Sequence, residues 1–440
     1  MAPGAKIAIF DVSGDGDSIF SSFLGNGLWE AAGNTGAKIH TNSWGGDAGC
    51  QLDDESIVYD NYLYENPDHL LIFAAGNDGE NLGNPGRTTC TINFPGIAKN
   101  VLTVGASSSG VTRATVTVID EDPASVDDRA YFSSYGPTTD NRIKPEIVAP
   151  GDRVISASAD GEEAHSCQLV ALVGTSMSTP IVAGAAAIVR QYFRDDAFYI
   201  NDLNARGVCI NGSPFQCDAF SPSGATVKAM LINSANLMGG GSEPNGLTGF
   251  GRVHLEAGLP LNGNGNRTLF VADSSFASVY SGRNDTYEFE IDESGVEMRV
   301  TLTWMDPEAD VYAAVQLIND LDLKVISPIG EEFVMWSSGE VDTRNVVERV
   351  IVPTVLVEEG TWTIMVSANQ LLTEMQPYSL VVLGSISTGT VVEGESFPSE
   401  GFSASLSLFG VYSKTTWVST AIALVFVSLF GLYGPALQGN

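Results

Sequence analysis

Short runs, KIAIFDV, KIHTNSW, HLLIFAAGN and NVLTVGAS, mostly apolar, alternate with helical patterns at Ser21 to Ala32 and Glu55 to Glu65. A strand without a polar face has nothing to turn toward water, so each must be covered on both sides. Such strands alternating with helices predict an α/β fold, a doubly wound parallel sheet. In sheets of this kind the chemistry gathers at the carboxyl ends of the strands. Two of those ends read Asn42-Ser43-Trp44-Gly45 and Ala74-Ala75-Gly76-Asn77, small or polar where the strand should stop.

Downstream, Ser176 sits in GTSMSTP, directly before the alanine-rich run IVAGAAAIVRQYF. A helix apolar nearly all round belongs in a core. Pro180 is tolerated because it falls in the first turn. Ser176 then stands at a helix amino end, where the dipole and free N–H groups favour developing negative charge. A serine hydroxyl becomes a nucleophile only when a base takes its proton and a third group orients that base. The histidines available for this are His40, His69, His165 and His254.

From about Arg267 to Ile386 the pattern changes to period two, as in DTYEFEI, MRVTLTW and YSLVVLGS, broken by Gly, Pro and Asp turns. That alternation predicts an antiparallel β-sandwich. A Ser/Gly/Glu-rich stretch, read as a flexible stalk, follows. Trp417 to Tyr433, WVSTAIALVFVSLFGLY, carries no charge and is just long enough to cross a bilayer as a helix. A lipid-anchor signal beginning at the small residues Ser403 to Ser405 is the alternative. The expected organisation is a first domain over 1–260, a sandwich over 265–387, a stalk over 388–415 and a transmembrane helix over 416–434.

The 440 residues include 53 acidic and 21 basic ones, a formal charge of -32 that excludes nucleic acid as a partner. The sequons at Asn211, Asn266 and Asn284 have the form used for N-glycosylation and favour an extracellular or lumenal placement of the body on a single-pass anchor. The positive-inside rule does not support that topology, since Lys414 lies before the apolar run and no basic residue follows it. MAPGAKIAIFDVSGDG has neither the long apolar core nor the small-residue cleavage site of a secretory leader.

VGTSMSTPIVAGAAA, NSWGG, LIFAAGNDG, NVLTVGAS and FSSYGPTTDNRIKPEIVAPG occur in the order and approximate spacing of the subtilisin-like serine proteases. The resemblance covers Met1 to about Leu259, and the sandwich resembles the carboxyl-terminal β-domain of some larger members. It implies a serine-type endopeptidase acting on peptides or proteins. Ser176 is then the nucleophile, and Asn77 the oxyanion-hole amide together with the Ser176 backbone N–H. Ser43, Trp44 and Gly45 match one strand that flanks an extended substrate in the family, and Ala74, Ala75 and Gly76 the other. Trp44 takes the place of an apolar wall residue.

The acid and base do not fit. Asp11 in FDVSGDGDS imitates the family's Asp-Thr/Ser-Gly acid, but Met1 to Asp11 matches a segment that follows both the acid and the His-Gly-Thr-His motif, and none of the four histidines precedes Gly-Thr. Triad Asp and His are therefore expected to be absent, leaving the chain inactive as it stands although its family is enzymatic. The fold is accordingly a subtilisin-like sheet incomplete at its amino end. Two explanations compete: a truncated piece of a complete protease, and a non-catalytic relative serving as a membrane-tethered binding or structural module.

No cofactor is needed for such hydrolysis. Calcium is the structural ion expected from the oxygen-bearing turns at Asp306, Asn319, Asp320 and Asp322. Cys50 and Cys90 fall on neighbouring strand-end loops of the expected sheet, and Cys209 and Cys217 flank a short loop, so two disulfides are expected and Cys167 is left over.

Overall fold

The computed structural model of the chain describes residues 2–9, 29, 33–46, 50–79, 90–109, 127–158, 168–195, 219–239, 241, 244–261, 267–392 and 422–426. The apolar runs form β1 (Lys6–Ala8), β2 (Ile39–Asn42), β3 (Leu70–Ala74) and β4 (Leu102–Ser108), joined by β5 (Ile147–Asp152). Every residue of β2, β3 and β4 is buried, the polar His40, Thr41 and Asn42 of β2 included, so the sheet is covered on both faces there. A short antiparallel pair, β6 (Val154–Ala157) and β7 (Leu169–Leu172), follows β5.

Helices accompany them among the described residues. α1 (Asp54–Glu65) starts where Asp53 accepts the N–H of Ser56. α2 (Thr175–Arg194) is the alanine-rich helix, with Pro180 its sixth residue, in the second turn rather than the first as expected. α3 (Gly224–Ser234) is buried at all eleven positions, and α4 (Leu255–Gly258) is one turn.

The alternating half supplies β8 (Thr268–Ala272), β9 (Ser278–Tyr280), β10 (Arg283–Ile291), β11 (Met298–Thr303), β12 (Asp320–Ile326), β13 (Glu332–Phe333), β14 (Val347–Val352), β15 (Gly360–Gln370), β16 (Met375–Pro377), β17 (Ser379–Gly384) and β18 (Ile386–Val392). They make antiparallel sheets ordered β13-β12-β15-β10-β18 and β14-β11-β17-β8, plus the pair β16-β9. β12 alternates buried and half-buried, as a half-covered strand should. β11 reads the same way in sequence, yet all six of its residues are buried.

Helix α3 explains the difference. The polar side chains of β11 meet the helix rather than water: Thr303 donates to Ala225 O at 2.8 Å, Asn233 donates to Thr301 Oγ1 at 3.0 Å, and Arg299 donates to Asn233 O at 3.1 Å. From β14, Arg349 caps the carboxyl end of α3 by donating to Ile232 O and Ala235 O at 2.8 and 2.9 Å. One contiguous apolar core therefore runs from the parallel sheet through α2 and α3 into the antiparallel sheets.

A last strand, β19 (Ile422–Phe426), comes from the run expected to cross a membrane. It lies between β1 and β2, parallel to both, with Ala423 paired to Ile7 and to Ile39. The parallel sheet is thus ordered β1-β19-β2-β3-β4-β5. The expectation of a helix is corrected at these five residues; the rest of the 416–434 segment, the stalk and Ser403 to Ser405 lie outside the described residues. No helix among the described residues is long and apolar enough to cross a membrane.

Candidate active site

Ser176 is the second residue of α2 and half-buried. Gly174 precedes the helix at φ 147°, a conformation that side chains rarely adopt, which is why the run begins Gly-Thr-Ser. Across from it, β3 runs out at Ala74 and the chain turns through Gly76 at φ 107°, where a Cβ would come within 2.8 Å of Asn93 and Ser134. Asn77 emerges from this turn exposed.

Thr175 joins the two. Its N–H and its Oγ1 both donate to Asn77 Oδ1, at 2.9 and 3.0 Å, and Oγ1 also bonds the Gly76 backbone. With the amide oxygen so engaged, Nδ2 is left as the outward donor. Backbone N–H of Ser176 makes no bond within the described residues either, so the helix end presents two unspent donors, the requirement of an oxyanion hole. Thr175 was not singled out in the sequence, although it stands beside Ser176 in the same motif; its positioning of the amide is legible only in three dimensions.

Ser43 and Ser176 clasp each other. Ser43 Oγ donates to Ser176 O at 2.9 Å, and Ser176 Oγ donates to Ser43 O at 3.3 Å. Gly45 has no room for a side chain, since its Cβ would lie 2.5 Å from Phe94 O. Trp44 departs from the expected wall position: it is 7% exposed and packs edge-on against Phe73, ring centroids 5.4 Å apart. Ala74 and Ala75 are buried, and the Ala75 backbone is already bonded to Val104 O and to Asn93 N–H, both at 2.9 Å.

None of the described histidines reaches Ser176. His40 is fully buried on β2 with Trp29 and His69 against its ring, and neither ring nitrogen has a hydrogen-bond partner. Burial, helped by the His69 and Lys38 charges, pushes it down to about 3. His69 lies 2.6 Å from the Tyr62 hydroxyl and 3.1 Å from Lys38 Nζ, and burial pushes it down to about 4 against the pull of Asp68. His254 is exposed at the start of α4. His165 and Asp11 lie outside the described residues.

These imidazoles carry a pH prediction. The unfolded chain takes up a proton near pH 6.5 whereas folded His40 resists until about 3, so its contribution is complete above pH 6.5 and is lost as pH falls toward 3. For His40 alone the loss amounts to about 3–5 kcal/mol. Urea unfolding at pH 7 and pH 4 should show it, and His40→Leu should flatten the dependence; an equally steep loss in the variant would assign it elsewhere.

Of the four residues expected to hold calcium, Asp306 and Asn319 adjoin each other but are engaged by other groups of the protein. Asp306 is paired to Lys99 Nζ at 2.6 Å and accepts the N–H groups of Ile318 and Asn319. Asn319 Oδ1 accepts the N–H of Leu372, and its amide donates to Thr373 and Gln376. Among the described residues no three His, Cys, Asp or Glu side chains form a group that could hold a metal ion. The cation satisfying Asp306 belongs to the protein.

Asp320 and Asp322 instead face Asp342 and Glu348. Burial and the mutual repulsion push Asp320 up to about 7 and Asp322 up to about 6. A carboxyl raised in the fold stabilises below its unfolded value near 4, and that contribution disappears as pH rises through 7. Asp320→Asn should therefore stabilise the protein by about 1–2 kcal/mol at pH 8, after allowance for the screening of a partly exposed group, with the gap closing toward pH 4. A pH-independent difference in urea melts would show that repulsion is not the cause.

Cys50 and Cys90 form a disulfide, S–S 2.05 Å and Cα–Cα 6.0 Å. It ties the loop after the Ser43 strand to the segment that pairs Gly46 with Phe94. Cys167, Cys209 and Cys217 lie outside the described residues.

Residues 1–251 match the sequence model of the subtilase family, peptidase S8. The chain belongs to the subtilase family. Relatives of this subtilase include the serine protease/ABC transporter B family proteins tagA and tagD of Dictyostelium discoideum. They are 24% identical over 486 residues and 26% over 454 residues, covering 90% and 78% of this chain. Serine protease AprX of Bacillus subtilis is 39% identical over 117 residues, a quarter of each chain. The subtilase spans about a quarter of the length of these relatives, 27%, 24% and 24%. Among solved structures it is similar to the prenylagaramide maturation protease PagA, 23% identical with a TM-score of 0.37, over 56% of this chain and 69% of that one.

Proposed function

We propose that the protein is the nucleophile-bearing part of a serine endopeptidase. Ser176 attacks the scissile carbonyl, and the Asn77 amide with the Ser176 N–H receives the oxyanion. The observation that carries this reading is the Thr175 clamp, which spends the oxygen of Asn77 and leaves two donors at the amino end of α2. Among the described residues the Ser176 hydroxyl bonds only the Ser43 carbonyl, so neither acid nor base is assigned to them. Peptides or proteins are the substrates.

The test uses a chain extended with its in-frame upstream coding sequence and a quenched fluorescent casein. Asn77→Ala should lower kcat by about 10²- to 10³-fold with KM little changed, and Ser176→Ala should abolish turnover. An Asn77→Ala variant that keeps wild-type kcat would remove the oxyanion role. The same hydroxyl bond to Ser43 favours the second reading, a non-catalytic relative acting as a binding module; an extended chain that neither cleaves nor acylates would establish it.

The extracellular or lumenal placement is part of the proposal. Asn284 of the sequon Asn284-Asp285-Thr286 is exposed at the start of β10, where an oligosaccharide can be accepted. A mass shift on glycosidase treatment of the protein from its host tests this. The single-pass anchor is carried by the charge-free run alone, which β19 competes with; extraction at alkaline pH separates the two states.

A further inference from the structure

A groove of about 330 Å³ lies where the loops at Asn141 and Asn245 meet the sandwich loop from Trp336 to Asn345. The junction is fixed: Asn345 Oδ1 accepts the N–H of Ile143 at 2.7 Å, and its amide donates to Asp342 Oδ2 at 2.7 Å. Asp342 Oδ1 accepts the N–H groups of Arg344 and Asn345, both at 2.8 Å. Asp342, the carboxylate in the lining, is buried and has both oxygens spent.

Arg344 is half-buried as a residue, and its guanidinium is left without a partner among the described residues. In a chain with 53 acidic residues against 21 basic ones, that is an unusual state for an arginine in a concavity. Asn245 adds to it, because its Oδ1 already accepts the N–H groups of Leu247 and Thr248 at 2.8 and 3.0 Å, leaving Nδ2 to donate. Trp336 closes the groove with a half-buried indole packed on the core. The lining therefore offers a planar cation, an amide donor and an apolar ring, while its carboxylate acceptor is saturated.

We propose that this groove binds an acidic side chain of an extended polypeptide, its carboxylate on Arg344 and an apolar neighbour on Trp336. A guanidinium matches a carboxylate in a two-pronged fork that no neutral amide reproduces. The volume suits a segment of a few residues rather than a folded partner. The choice of a polypeptide rests on the peptidase reading, but the test reads binding alone, so loss of catalysis and loss of this site are separate results.

Calorimetric titration of the full chain with the blocked peptide Ac-Leu-Asp-Leu-NH₂ and its Asn counterpart tests the assignment. The Asp peptide should bind about tenfold or more tightly than the Asn peptide, and Arg344→Ala should erase that preference. Arg344→Ala should leave the melting temperature unchanged, because the side chain holds nothing in the fold. Arg344→Glu should reverse the preference toward Ac-Leu-Lys-Leu-NH₂. Equal binding of the Asp and Asn peptides, no binding of either, or Asp-peptide affinity unchanged in Arg344→Ala would overturn the proposal.

Discussion

Replacing Asp306 with alanine is expected to cost about 3–5 kcal/mol of stability, the usual penalty for breaking one half of a buried ion pair. Lys99 and Asp306 are 1% and 0% exposed and 2.6 Å apart. Lys99 Nζ also donates to Gln316 O at 2.7 Å and to Pro307 O, so the ammonium is held entirely by the sandwich although Lys99 belongs to the α/β body. Asn100 adds a reciprocal pair with the Asp306 backbone, donating to its O at 2.8 Å and accepting its N–H at 2.9 Å. Behind both, Asp60 of α1 accepts the Asn100 N–H at 2.8 Å.

Alanine at 306 would leave a charged lysine in a dry site and strip two backbone N–H groups of their acceptor. Lys99→Met should lose less, since it removes the charge with its partner still bonded to Ile318 and Asn319. The double variant Lys99→Met with Asp306→Leu should recover part of the loss, because an apolar pair of similar volume needs no compensation. Urea unfolding of the wild type, Lys99→Met, Asp306→Leu and the double variant measures the coupling. A loss below about 1 kcal/mol for Asp306→Ala would mean that the pair does not hold the two halves together.

β3 and β4 were readable because strands buried on both faces leave a largely apolar composition. Ser176 and Asn77 were readable because their motifs are local. β11 was readable as a strand, but not the fate of its polar face: Arg299, Thr301 and Thr303 face a helix some seventy residues earlier, and alternation looks the same whether the polar side meets water or backbone carbonyls. Asp306 was misread for a related reason. A carboxylate needing a cation is visible in sequence, whereas that the cation is Lys99, over two hundred residues away, is not.

Ile422–Phe426 shows the ambiguity at its sharpest. Five apolar residues without a charge suit a bilayer and the interior of a parallel sheet equally, and hydropathy cannot choose between two media that both exclude water. Trp44 belongs with it: an indole beside a strand end fits a pocket wall or the core, and packing against Phe73 placed it in the core.

The site itself is tested most directly by labelling Ser176 in residues 1 to 440 with a fluorophosphonate. Members of a triad act as a unit, so a serine without its base keeps only the roughly 10³- to 10⁴-fold acceleration over water that an oxyanion hole and binding supply. Here the hydroxyl donates to the Ser43 carbonyl, which cannot act as a base; His40 is buried without any ring-nitrogen partner, His69 is buried against Tyr62, and neither meets Ser176. The expected result is a labelling rate indistinguishable from that of Ser176→Ala over hours, with the folded state verified by its melting transition. Rapid, stoichiometric modification of Ser176 would contradict the account and show that a general base is already in place.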